Sequence, residues 1–120
     1  AQIDGAGKIG IVGFCMGGSV AWFAAANSPV SAAVCYYGGD ILAHETLSPN
    51  CPVMFHWGAE DHGIPLDGVH KVEAANPGIP SFIYEGAGHG FSCSRRGSYH
   101  KEAAGVAMGR TLEFLSENIG

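Results

Sequence analysis

Short apolar runs closed by glycine, alternating with segments of a different character, constrain this chain more than any other feature. Lys8-Ile9-Gly10-Ile11-Val12-Gly13-Phe14 is one such run; Ala32 to Tyr37, ending at Gly38-Gly39, and Val53 to Trp57, ending at Gly58, are two more. Ser81 to Glu85 is a fourth and leads into Gly86-Ala87-Gly88. A β-rich run without polar alternation has no face to give to water, so these read as strands buried on both sides. Between them the spacing turns helical. Met16 to Asn27 carries Val20, Ala21, Ala24 and Ala25 on a helical period and stops at Ser28-Pro29. Pro65 suits the first turn of a second helix, with Val69 and Val72 on one side and an end before Asn76-Pro77-Gly78. A last helix, from about Tyr99 to Asn118, repeats Ala103, Ala107, Arg110/Thr111 and Phe114/Leu115 along one face. Asp40 to Pro52 is polar and broken. Trp22, Met108 and Phe114, at helical positions, are expected in the core. The alternation predicts an α/β fold: a parallel sheet of about four strands with flanking helices.

With 120 residues the chain has room for one core, so a single domain over 1–120 is expected. A net charge of −5, with no basic cluster beyond Arg95-Arg96, argues against nucleic acid. No apolar run approaches the roughly 20 residues of a membrane span. Ala1-Gln2-Ile3-Asp4 lacks the basic and apolar regions of a secretion signal, so a soluble, cytoplasmic protein is expected. Cys15, Cys35, Cys51 and Cys93 stand singly, without a C-x-x-C pair, which points to reduced thiols rather than a zinc ribbon or a disulfide framework. Cys35, inside an apolar run, reads as a small core residue.

In open α/β sheets the functional groups collect beyond the carboxyl ends of the strands. Here those ends hold Cys15, Tyr36-Tyr37-Gly38-Gly39, Asp61 and His89. Gly13-Phe14-Cys15-Met16-Gly17-Gly18 is a G-x-C-x-G turn between a predicted strand and a predicted helix, the cysteine form of the nucleophile elbow. The nucleophile of such a turn is strained, and glycines two residues either side are expected because a Cβ there would clash. At a helix N-terminus the sulfur is favoured as thiolate, and the Met16 N–H would be one oxyanion donor. Nucleophile, acid and base follow in that chain order in α/β-hydrolases, which suits Asp61 as acid, with Glu60 in reserve, and His89 as base. The plainer alternatives are that Glu60 and Asp61 are solvated loop charges and that His89 is an ordinary loop residue.

Gly13-Phe14-Cys15-Met16-Gly17-Gly18, Gly58-Ala59-Glu60-Asp61, Ile64-Pro65 and Gly86-Ala87-Gly88-His89-Gly90-Phe91, followed by Ser98-Tyr99 and Arg110-Thr111-Leu112-Glu113-Phe114, resemble the dienelactone hydrolase family from about Lys8 to Ile119. The resemblance implies the C-terminal half of an α/β-hydrolase fold and a triad of Cys15, His89 and Asp61. It further implies hydrolysis of lactones or small esters through an acyl-cysteine, without metal or cofactor. It suggests that Tyr36, Tyr37 and Phe91 line the pocket.

The chain departs from that family in two respects. Family members are about twice as long, and the part before the elbow, which supplies a second oxyanion N–H, a glutamate near the nucleophile and a substrate-gripping arginine, is missing. Where the founding enzymes place an arginine four residues after the histidine, this chain has Cys93; Arg95 and Arg96 are nearby substitutes. The truncation should leave the first strand, Ile9 to Phe14, at an open edge, and an apolar edge invites pairing. A homo-oligomer through that edge or the helix faces is therefore expected. Two other readings compete with the enzyme: a catalytically silent half-domain serving assembly or awaiting its other half, and a redox-sensing thiol at Cys15. A metal site at His56, Asp61 and His62 lacks a supporting motif. Gly5-Ala6-Gly7 precedes a strand instead of following one, so it is not a dinucleotide fingerprint. Ser92 and Ser94 suit phosphorylation or a turn cap equally.

Overall fold

A computed structural model describes residues 8–93 and 100–120. The chain runs β1 (Gly10–Phe14), α1 (Met16–Asn27), β2 (Ala32–Tyr36), a 3-10 turn (Gly39–Ala43), β3 (Val53–Gly58), α2 (Leu66–Ala75), β4 (Ser81–Tyr84) and α3 (Lys101–Ile119). The strands form one sheet in the order β1-β2-β3-β4, every pair parallel. This is the α/β architecture expected from the alternation, with boundaries shifted by a residue or two. Arg95, Arg96, Ser98 and Tyr99 lie outside the described residues.

Neighbouring side chains on β3 reveal the layering. Phe55 packs on Trp22 of α1, their rings 5.3 Å apart, whereas the next residue, His56, reaches Thr111 of α3 at 3.1 Å. Successive strand residues point to opposite faces, so α1 covers one face and α3 the other. The 3-10 turn extends the α1 layer: the Trp22 indole N–H donates to the His44 carbonyl at its end. β2 and β3 are buried along their whole length because they have a strand on each side and helices on both faces.

β1 lies at an edge of the sheet, as expected. On it Val12 and Phe14 are exposed, and so are Met16 and Val20 of α1 and Val106, Met108 and Leu112 of α3. Two expectations therefore need correction. Met108 is 44% exposed rather than in the core, unlike Trp22 and Phe114, which are buried. The buried residues of α1 are Gly18, Ser19, Ala21, Trp22 and Ala25, with Val20 turned outward. In a segment as uniformly apolar as α1, hydrophobicity alone cannot single out the inner face.

Candidate active site

The strand-to-helix turn places Cys15. Its backbone sits at φ 56° and ψ −121°, a left-handed position that costs a non-glycine residue roughly 1–3 kcal/mol and has to be held by its surroundings. Backbone bonds hold it: the Cys15 N–H donates to the Tyr36 carbonyl at 3.1 Å, and its own carbonyl accepts the N–H groups of Gly18 at 2.9 Å and Ser19 at 3.4 Å. The glycine requirement is narrower than the motif suggests. A Cβ on Gly13 would run into the Gly17 carbonyl, and one on Gly18 into the Tyr36 carbonyl, but one on Gly17 would meet nothing within 4 Å. Gly17 therefore answers no packing demand among the described residues. Met16 occupies the first helical position after Cys15, where backbone N–H groups lack a partner one turn back.

The loops after β3 and β4 place Asp61 and His89. Gly58 ends β3, and its missing side chain lets the loop after β4 pass close by, since a Cβ there would lie 2.5 Å from the Ala87 carbonyl. That carbonyl accepts the Glu60 N–H at 2.8 Å, binding the two loops together. Gly86 and Gly90, with φ of 73° and 76°, turn the chain on either side of His89. The result is a direct pair: His89 Nδ1 lies 2.7 Å from Asp61 Oδ2. Asp61's side chain is only 1% exposed and its other oxygen accepts the Gly63 N–H at 2.9 Å; Glu60 and His62 stay exposed. Of the two carboxylates in this loop, it is Asp61 that meets the imidazole.

Tyr37 links this pair to the elbow. Its ring stands 5.3 Å from that of His89, and it borders a cavity of about 400 Å³ that is also lined by Phe14, Cys15, Ser92 and Cys93. Asp61 and His89 line a second cavity, with Ile64 and Gly39. Like Cys15, Tyr37 is strained (φ 37°), and its N–H donates to the His56 carbonyl at 2.7 Å. Burial, and then the nearby Cys15 thiol, push its hydroxyl up to about 12, partly offset by hydrogen bonding from Ser92 and with Cys93 adding to the rise, so it remains a neutral phenol. Tyr36 and Phe91 sit behind Tyr37, fully buried: the Tyr36 hydroxyl shares a hydrogen bond with that of Thr111, and Phe91 packs on Tyr37 and Tyr84.

A buried polar chain supports the rim from below and was not foreseen in the sequence. Arg110 Nη1 donates to the Tyr84 hydroxyl, which lies 2.7 Å from His56 Nδ1; His56 Nε2 lies 3.1 Å from Thr111 Oγ1, and Thr111 meets the Tyr36 hydroxyl at 2.8 Å. Arg110 also stacks over Phe82 at 4.1 Å. The only available signal was a histidine and two tyrosines inside apolar runs, opposite a helix face carrying Arg110 and Thr111. Their pairing needs the register. Among the described residues no group of three or more His, Cys, Asp or Glu could hold a metal ion, and no helix is long and apolar enough to cross a membrane.

Comparison with known proteins points in one direction. The family model described as the dienelactone hydrolase family matches residues 2–119. The chain is 36% identical over 115 residues to the carboxymethylenebutenolidase of Pseudomonas putida, covering 92% of this chain and 49% of that protein. A Klebsiella pneumoniae structure provisionally named a dienelactone hydrolase superposes with a TM-score of 0.77 at 32% identity, covering 89% of this chain and 51% of that one. A dienelactone hydrolase-like promiscuous phosphotriesterase from metagenomic libraries shares the fold, with a TM-score of 0.77 at 21% identity over 95% of this chain and 54% of that one. The chain thus spans about half the length of the relatives it matches.

Proposed function

This chain belongs to the dienelactone hydrolase family, and on that premise we propose that it carries the nucleophile, base and acid for hydrolysis of a small ester or lactone through an acyl-cysteine. Cys15 attacks the carbonyl carbon while His89 takes the thiol proton, and the Met16 N–H receives the charge that develops on oxygen. Collapse of the tetrahedral adduct expels the alkoxide, which His89 protonates. Water, deprotonated by the same imidazole, then releases the acid and restores the thiol. Asp61 holds Nδ1 so that Nε2 performs both transfers.

The observation that carries this reading is the 2.7 Å bond between His89 and a buried Asp61, with Tyr37 touching that imidazole and bordering the cavity of Cys15. The decisive measurement is p-nitrophenyl acetate hydrolysis by the chain, by Cys15→Ala and by His89→Ala. Each substitution is expected to lower the rate by about a hundredfold or more. Equal rates for all three would leave the second reading, a catalytically silent unit serving assembly. That alternative rests on the exposed apolar side chains of β1 and α3 and on β1 lying at the edge of the sheet among the described residues. It predicts a mass above the monomer in light scattering.

A further inference from the structure

The four cysteines differ in setting. Cys35 is buried in β2, one residue before its carboxyl end, and Cys51 lies just before β3. Both thiols are pushed up by burial, Cys35 further by its neighbour Cys51, so both are held as poorly reactive thiols. Cys15 and Cys93 instead line one cavity at the rim, together with Phe14, Tyr37 and Ser92. Cys93 is exposed and ends a short stretch that begins at His89 and turns at Gly90, whose φ is 76°; the Cys93 N–H returns to the Gly90 carbonyl at 2.9 Å.

We propose that Cys93 is the resolving partner of Cys15, so that the cavity is a reversible oxidation site for hydroperoxides. The Cys15 thiolate attacks the distal oxygen of a hydroperoxide, the O–O bond breaks, and the sulfur becomes a sulfenic acid as the alcohol (water, for hydrogen peroxide) leaves with a proton from solvent. The Cys93 thiol then attacks the sulfenic sulfur, forming Cys15–Cys93 and releasing water, a two-electron oxidation overall. A dithiol reverses it by exchange. Closing the bond requires the two Cα atoms to come within about 7 Å. Gly90 and Phe91 are buried, so the approach falls to the exposed Cys93 at the end of that stretch. The disulfide caps the nucleophile before it passes to the irreversible sulfinic acid.

This inference rests on Cys15 being an activated thiol, so the experiment reads the two separately. The reduced full chain is first treated with iodoacetamide, and the alkylation rate of Cys15 is compared with that of glutathione. A Cys15 no faster than glutathione removes the activated thiol, and both readings with it. A fast Cys15 is then challenged with hydrogen peroxide and followed by intact mass. Wild type and Cys51→Ser are expected to lose about 2 Da, reversibly with dithiothreitol, with Cys15 and Cys93 in one linked peptide; Cys93→Ser is expected to gain about 32 Da at Cys15. A fast Cys15 that gains oxygen equally in wild type and Cys93→Ser, or a 2 Da loss that survives Cys93→Ser, overturns the pairing and leaves the hydrolase reading standing.

Discussion

His56 and His89 each bring Nδ1 to within 2.7 Å of an oxygen, yet the two rings are built for opposite ends. His56, on β3, is fully buried, and among the described residues its ring nitrogens meet the hydroxyls of Tyr84 and Thr111. Burial, then the charge of Arg110, push its pKa down to about 3, so it stays neutral at any ordinary pH. His89 stands on a glycine-flanked loop with its side chain 37% exposed, and its oxygen belongs to a carboxylate. A carboxylate can stabilise an imidazolium; a hydroxyl in a closed core cannot do so to the same degree. The partner and the access to water, rather than the bond length, divide a structural histidine from a candidate base. Even so, the structural histidine serves the rim: its carbonyl receives the N–H of the strained Tyr37, and Thr111 ties it to Tyr36, whose carbonyl receives the N–H of Cys15.

The contrast can be broken at three points, in falling order of effect. Asp61→Asn keeps the shape of the loop but replaces the charge under His89 with an amide. The expected result is a fall of roughly 10³–10⁴ in kcat for p-nitrophenyl acetate with KM little altered, read by steady-state kinetics. An unchanged kcat would put His89 in the same class as His56.

His56→Phe tests the other ring. The unfolded chain takes up a proton near pH 6.5 that the folded chain refuses until about pH 3, so His56 makes the wild type lose stability as the pH falls through that window. The loss from this group is on the order of a few kcal/mol at the bottom of the window. Phenylalanine should flatten that slope in melting curves between pH 4 and 7. It also leaves Tyr84 bonded to Arg110 and Thr111 bonded to Tyr36, so the cost at neutral pH should be modest. A slope equal to the wild type's would mean that His56 titrates normally.

His70 sharpens the scale from the weak side. It meets Glu73 at 3.1 Å across one turn of α2 with its side chain 60% exposed, a pair screened by water. His70→Ala should move stability by no more than about 0.5 kcal/mol in urea unfolding.

Much of the fold was legible because strand and helix periods are local. The four apolar runs became the four strands, and the glycines at 13, 18 and 58 mark places where another backbone passes too close for a side chain. The elbow was visible for the same reason, although the sequence suggested a need for Gly17 that the packing does not bear out. Val20 and Met108 misled because an apolar residue carries no label for the face it will occupy.

The alternation of short apolar runs with helical segments settled a parallel sheet, and chain order brought Cys15, Asp61 and His89 to its carboxyl rim; both follow from local periodicity and from connections that run one way. The tertiary structure alone decided which carboxylate meets the imidazole, that Tyr37 borders the cavity while Tyr36 and Phe91 stand behind it, that Cys93 lines the same cavity as Cys15, and that a polar chain from Arg110 to Tyr36 braces the rim. Those choices depend on strand register and on loops crossing one another, which join residues dozens of positions apart and leave no periodic trace in the sequence.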